Sequence, residues 1–595
     1  MCLCFKRLQW VVWLWAVPGY VGAIPLEWVL PELSVTSTRN RTTWQTPQTE
    51  WGVSVDTAKL RGAQVWGDVL SQQPTLHWVT VGGSVSLFPN GLPSAYAKAE
   101  WNGIPMTDAI DPQGRPRLDA LLIDSVHRID RIGPGDGMSS GNPGLGGVLQ
   151  LKTDVTPGTT IQVQGGGGLS QQSITHGFRH EGWEGAVGTG WLHDERVSAT
   201  TWAGNGDIDP IDAQNHWATL THQGSHHRWQ SAVMLTQQFA ALDSKFPQFT
   251  NPLGYHLQTN SLRYGMSGSL MIGSGVSLGQ RVWLTQLSRR DSVDINQGRS
   301  DYGGNAWGSD WTLEQRDTHH RWVIGVTTLS ETGHDPWGTS GSRSTVGGYG
   351  GGQWVTGPVT WLGSAHWVSD PYSPSRLMGS GGLVWQVGDV VRVKSTVGSG
   401  YRVPSIYETF NAASGQRLQP ETGHTLSYAI EYDTWVGTWV LNGSHSTIQQ
   451  LIQYGDGVYQ NTAHDTTAHA VTAQWHTPRW NWCPPLQVLY TRFLSQTGGA
   501  PVLRVPEWKW SVSSVVNWGE WEWGTQWVGI GPRLDVGGVR LGDSWLVSGQ
   551  CRYLGWRGLI PHVSISNALN DRVPPAVGYV SPPLTIQVGM TWQTW

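Results

Sequence analysis

From about residue 155 onward, apolar and polar side chains alternate with a period of two, the spacing of strands that have two unlike faces. Residues 424–432 set Leu426, Tyr428, Ile430 and Tyr432 against Thr425, Ser427, Ala429 and Glu431. Residues 322–328 set Trp322, Ile324, Val326 and Thr328 against Val323, Gly325 and Thr327. The last stretch does the same, with Leu584, Ile586, Val588, Met590 and Trp592 opposite Thr585, Gln587, Gly589 and Thr591. Residues 24 to about 154 have a different texture of short apolar strands, helix-like pieces and turns. Val65, Val69 and Leu70 carry helical spacing within 60–73, and Pro74 ends that segment. Residues 119–132 read the same way and run into a short strand.

Alternation alone would also suit a soluble sandwich. Three further features favour a membrane. The face opposite the apolar one is small and polar, as a lumen requires, and glycine (77 of 595 residues) is common there. Tryptophan, at 38 residues, gathers beside short turns. Trp229 follows His226-His227-Arg228, Trp322 follows His319-His320-Arg321, and Trp435 and Trp439 flank Val436-Gly437. A girdle at the membrane–water boundary places its aromatics in that way. Lastly, residues 1–23 read as an export signal: Lys6 and Arg7, the apolar run Leu8–Val21, then Val21-Gly22-Ala23. An apolar run of about 14 residues interrupted by Pro18 is too short to span a bilayer itself.

Composition narrows the field. Charged residues are 14% of the chain, against roughly 25% in an ordinary soluble domain. A net charge of −5 excludes a general nucleic-acid binder. A mean hydropathy of −0.30 excludes a bundle of membrane helices. Cys2 and Cys4 fall in the signal, and the pairing of Cys483 with Cys551 is left open. No CxxC, HExxH or similar spacing points to zinc. The His226-His227 and His319-His320 pairs read as solvated turn residues rather than metal ligands.

These features predict an all-β transmembrane barrel of about 22 antiparallel strands over 155–595. Each strand with its connection then has about 20 residues, of which a tilted crossing strand needs roughly 9–11. A closed barrel leaves no backbone edge in lipid. A lumen this wide cannot be filled by its own side chains. Residues 24–154 are therefore expected to block it, as an N-terminal α+β plug inside the lumen.

Four separated stretches resemble the TonB-dependent outer-membrane receptors, of the cobalamin and ferric-siderophore type. Glu32-Leu33-Ser34-Val35-Thr36-Ser37 is similar to the TonB box, an extended segment suited to strand addition. Residues 129–153, IDRIGPGDGMSSGNPGLGGVLQLKT, resemble the plug ending of the family through Gly133, Pro134, Gly141, Gly146, Gly147 and Val148. There Ile132 stands where the family usually has Arg. Upstream, Trp101-Asn102-Gly103-Ile104-Pro105-Met106 is similar to the Asp-Gly-Val-Pro turn with Asn102 for Asp, and Asn90-Gly91 replaces an Arg-Gly. These departures put the usual plug–barrel ion pairs in question while leaving the fold intact. Tyr401-Arg402-Val403-Pro404-Ser405, Glu408 and Leu418-Gln419-Pro420-Glu421 resemble a paired barrel signature. Ser566-Asn567-Ala568-Leu569-Asn570-Asp571 resembles the element before the last strand. Trp595 falls out of phase with the apolar face that ends at Trp592, and reads as an overhang or bulge.

The resemblance implies four parts: a signal peptide at 1–23, a tail with the TonB box at 24–44, a plug at 45–154 and the barrel at 155–595. It implies active import of a scarce large ligand, a ferric siderophore or cobalamin, across the bacterial outer membrane, with no covalent chemistry and no required cofactor. TonB, energised by ExbB and ExbD, would pull on residues 32–37. The other implied surroundings are outer-membrane lipid and lipopolysaccharide, with the receptor a monomer and no nucleic acid involved. By position, the ligand-facing plug residues would be Gly83, Ser84, Asn90, Ser94, Tyr96, Asp111 and Gln113. Haem is disfavoured, because Tyr401–Glu421 contains no His. Asp207, Asp209 and Asp212 could help to hold calcium in an outer loop.

Two other classes fit less. A porin or adhesin working without TonB would not need residues 24–154. A Trp-rich secreted carbohydrate-binding β protein should repeat every 40–50 residues, which this chain does not. No GxSxG-type motif suggests an enzyme.

Overall fold

The computed structural model describes residues 49–594, except 82–83, 119, 134–143, 197–208, 242–255, 293–298, 337–339, 414–415, 456 and 479–483. The expected signal, the TonB-box segment 32–37, Gly83, Asp207, Cys483 and Trp595 lie outside the described residues.

Twenty-two antiparallel strands close into one barrel, from Gly158–Gly166 to Thr585–Gln593. The last strand pairs with the first in register from Val588 opposite Gly165 to Gln593 opposite Thr160, so neither keeps a free edge. Short turns join strands at one end, as between Ile211–Gln223 and His227–Ala241, where Gly224 N donates to His227 O at 2.8 Å. Longer connections lie at the other end. Short turns face the periplasm and long ones the exterior in barrels of this kind. Both His pairs sit at short turns, and Asp317 accepts from the backbone N–H of His319 and of His320 at 2.7 Å.

The alternation sorts the two faces as the sequence predicts. Ile586, Val588 and Met590 are exposed outward, and Gln587 is buried inward. Trp439 and Trp475 stack across neighbouring strands at 5.2 Å, and Trp183 meets Trp229 edge-on at 5.0 Å. The outward apolar band with its aromatic border is a lipid-facing surface.

The plug has a five-stranded sheet in the order Thr49–Ser54, Arg128–Ile132, Val148–Lys152, Lys98–Trp101, Ile104–Pro105. The hairpin Leu76–Val81 and Ser84–Pro89 and two short helices complete it. The expected helix across 60–73 is instead two, Val55–Leu60 and Trp66–Ser71. Gly62 turns the chain between them at φ 89°, and Asp68 accepts from the N–H of Gln64 and Val65, restarting a helix after the break. Among the described residues of 119–132 only the turn Ile123–Ser125 is helical, and it is of the 3-10 kind. Trp66 Nε1 donates to the Leu121 carbonyl at 2.6 Å, drawing that oxygen away from helical bonding, while Leu122 O accepts both the N–H of Ser125 at 3.1 Å and its hydroxyl at 2.6 Å, which closes a single turn.

The plug core continues into the wall. Trp101, Leu118, Ile129 and Leu151 cluster with the inward Trp217, Met234 and Trp283 of the barrel. Inward glycines let the plug come close: a Cβ at Gly265 would stand 2.4 Å from Ile104, and one at Gly400 would stand 2.4 Å from Leu145.

Candidate functional site: the plug–wall cavity

The strand Lys98–Trp101 alternates, so Ala99 and Trp101 enter the plug core while Lys98 and Glu100 face the wall. Trp101 Nε1 donates to Thr153 Oγ1 at 3.0 Å, fixing the strand's register. Asn102 and Gly103, at φ 48° and 82°, reverse the chain in the two-residue turn that an Asn-Gly pair favours. Between this hairpin and the wall lies a cavity of about 250 Å³. Tyr96, Lys98, Glu100 and Gln113 line it from the plug; Arg281, Trp283, Glu331, Arg343, Tyr401 and Arg402 line it from the wall.

Each arginine of the cavity is held between two carboxylates. Arg281 reaches Asp310 at 3.2 Å and Glu100 at 3.7 Å, and donates to Gly103 O at 3.1 Å. Arg343 pairs with Glu331 and lies 3.7 Å from Asp370. Arg402 bonds Glu408 through both terminal nitrogens, at 2.9 and 3.0 Å, and Glu421 through Nε and Nη2, both at 2.6 Å. Tyr96 adds its hydroxyl to Glu421 from the plug side. Glu408 and Glu421 are fully buried. Burial pushes the Glu408 carboxyl up, against the pull of Arg402. Lys98 differs. Among the described residues its ammonium has no hydrogen-bond or ion-pair partner, and burial draws its pKa down to about 8. Among the described residues the cavity therefore offers one unpaired cation, on the plug beside aromatic rings, facing wall arginines that are each ion-paired.

Residues 161–566 match the family described as TonB dependent receptor-like, beta-barrel. The chain belongs to that family. The receptor accordingly sits in the outer membrane, with a receptor and transport role rather than that of an enzyme family. Solved structures share its fold at low identity. A ferric enterobactin receptor of Pseudomonas aeruginosa superposes with a TM-score of 0.79 at 11% identity, covering 93% of this chain and 100% of its own. The FrpB iron transporter of Neisseria meningitidis gives 0.78 at 11%, covering 92% and 99%. The siderophore receptor PirA of Acinetobacter baumannii gives 0.76 at 10%, covering 91% and 98%. No curated protein sequence matches the receptor.

The residues expected to face a ligand divide in this geometry. Tyr96 and Gln113 line the cavity, and Ser94 Oγ donates to Gln113 Oε1 at 3.1 Å. Tyr96 is nevertheless buried, its hydroxyl engaged by Glu421. Asn90 is buried at φ 51°, and its side chain accepts from Arg131 at 3.4 Å. Asp111 is likewise internal, bound to Arg115 at 2.9 Å and to the N–H of Gln113 at 2.9 Å. Ser84 accepts from Arg117 at 3.4 Å. Of the calcium candidates, Asp212 faces His193 at 2.7 Å and Asp209 is buried. No group of three or more His, Cys, Asp or Glu residues among those described is placed to hold a metal.

Sequence reasoning did not find Lys98, Glu100, Arg281 or Arg343. The signal for Lys98 and Glu100 was the alternation of Lys98-Ala99-Glu100-Trp101 just before the Asn-Gly turn. The departures at Ile132 and Asn90 are offset elsewhere. Arg131, one position earlier, is buried and donates to Thr75 and to Gly146 O at 2.9 Å. Plug and barrel still meet through ion pairs, as Arg552 grips Asp56 at 2.7 and 3.0 Å.

Proposed function

We propose that the receptor imports a ferric siderophore by TonB-dependent transport. One observation carries this reading: the lumen is stoppered by a plug clasped to the wall through polar contacts, the buried Tyr96–Glu421 hydrogen bond and the more exposed Arg552–Asp56 ion pair among them. Ligand binding shifts such a plug only by its differential affinity for the seated and displaced states. External work is needed, and residues 32–37 are the segment on which TonB, driven by ExbB and ExbD, pulls. The fold neighbours described as siderophore receptors favour iron chelates over cobalamin. The unpaired Lys98 ammonium in the cavity suits an anionic chelate.

Uptake of iron-55 siderophores and of cobalt-57 cobalamin, measured with the full chain and with residues 32–37 deleted, tests the reading. Accumulation of an iron chelate that the deletion abolishes, with surface binding intact, is the expected result. Accumulation unchanged by the deletion overturns the TonB coupling, and uptake of cobalamin alone overturns the ligand class.

A further inference from the structure

Away from that cavity, the plug drives a second cation against the wall with nothing to meet it. Arg61 is 2% exposed. Its neighbours fix its place: a Cβ at Gly62 would stand 2.5 Å from Gly549 N, and one at Gly524 would stand 2.2 Å from Leu60 O. The guanidinium is thus delivered between plug and wall. Its Nε and Nη2 are buried without hydrogen-bond partners, and it makes no ion pair among the described residues. Burial is the one influence on it and draws its pKa down to about 10, so it stays charged at neutral pH.

The facing wall is polar and equally unsatisfied. Gln526 is 1% exposed, with both its amide oxygen and its amide nitrogen lacking partners. Gln526 sits beside the contacts that hold Arg61: it is two residues beyond Gly524 on the same strand and lies opposite Ser548, whose Cβ would stand 2.8 Å from a Cβ at Gly62.

We propose that Arg61 and Gln526 form a buried site for a small monovalent anion of the halide class. A buried guanidinium requires a counter-charge, which water alone does not supply. The guanidinium and the Gln526 amide both present N–H donors. A spherical anion accepts from donors in any direction, whereas a carboxylate or phosphate brings further oxygens that find no donors here. The site draws on both plug and wall, so it exists only while the plug is seated, and the bound anion stabilises that seated state.

Crystals of the full-length receptor grown in sodium bromide test this without any substitution. An anomalous bromide peak within hydrogen-bond reach of Arg61 is the expected result. A peak absent there, with water filling the gap, overturns the proposal. In solution, replacing gluconate by chloride at constant ionic strength should raise Tm by about 2–4 °C. Arg61→Met should erase that chloride response, and Gln526→Leu should move its midpoint to about tenfold higher chloride. An equal chloride response in the Arg61→Met protein also overturns the site.

Discussion

Tyr96 of the plug donates its hydroxyl hydrogen bond to Glu421 of the barrel wall, across 325 residues of chain. Glu421 also receives Arg402 and the backbone N–H of Ile452, at 2.7 Å, so the plug docks onto a carboxylate already fixed in place. Burial and the neighbouring carboxylate hold the Tyr96 hydroxyl well above its ordinary pKa, which keeps it a donor. Tyr96→Phe should remove that tether and little else, at a cost of about 1–2 kcal/mol. Thermal unfolding of the purified receptor should register the loss, and cysteine labelling at the plug–wall seam should become faster. Unaltered labelling would show that the tether does not hold the plug.

Arg402 is the centre of the same cluster. Arg402→Met leaves Glu408 and Glu421 buried without their counter-charge and should destabilise by about 3–5 kcal/mol. Lysine should rescue poorly, because one ammonium cannot reproduce the forked bonds to both carboxylates. Burial already holds the Glu408 carboxyl above its ordinary pKa against the pull of Arg402, and losing the guanidinium should raise it further. The deficit of the variant should therefore shrink as pH falls through the carboxylate range. A double-mutant cycle of Arg402→Met with Glu421→Gln checks the coupling, since additive losses would exclude a shared cluster.

The barrel was legible because period-two alternation directly encodes which face meets lipid. The paired signature at 401–421 was legible as a resemblance, and the structure supplies its physical basis in the Arg402 clamp. The plug was less readable. Its helices are one and a half turns long, too short for periodicity to bound them, and the break at Gly62 is set by contact with Gly549 on a distant strand. Asn90 and Asp111 looked like ligand-facing loop residues, yet Arg131 and Arg115 engage them inside the plug. Pairings between residues remote in sequence leave no local pattern, and the same holds for Arg281 with Glu100.

Lys98 carries a pH dependence of defined sign. Its folded pKa, about 8, lies below that of the unfolded chain, so the unfolded state binds more protons above that pH. The penalty of burying the ammonium is fully present below pH 8 and is relieved as pH rises beyond it. Relative to Lys98→Met, the wild-type receptor should thus gain stability from about pH 8 upward. Uptake of an anionic chelate should change the opposite way, falling as the ammonium loses its charge. Lys98→Arg should remove both dependences, because its guanidinium keeps its proton throughout. Transport assays from pH 6.5 to 9.5 in the three proteins separate these outcomes, and a pH profile shared by all three would remove Lys98 from the path.

The outward face offers the sharpest test of what surrounds the barrel. Val588 stands near the middle of Thr585–Gln593 and is 63% exposed. In a water-soluble protein, an arginine at such a position would change stability by no more than about 0.5 kcal/mol. In acyl chains the same side chain must be desolvated or must thin the bilayer, at about 2–4 kcal/mol near the midplane. Val588→Arg should therefore reduce the folded fraction in bilayers, read from the gel mobility of unheated samples, while Val588→Leu leaves it unchanged. The penalty should also diminish for substitutions closer to the strand ends, as at Trp592, where a long cationic side chain reaches the headgroups. A flat profile along the strand, with no penalty at its centre, would mean that this face does not meet lipid.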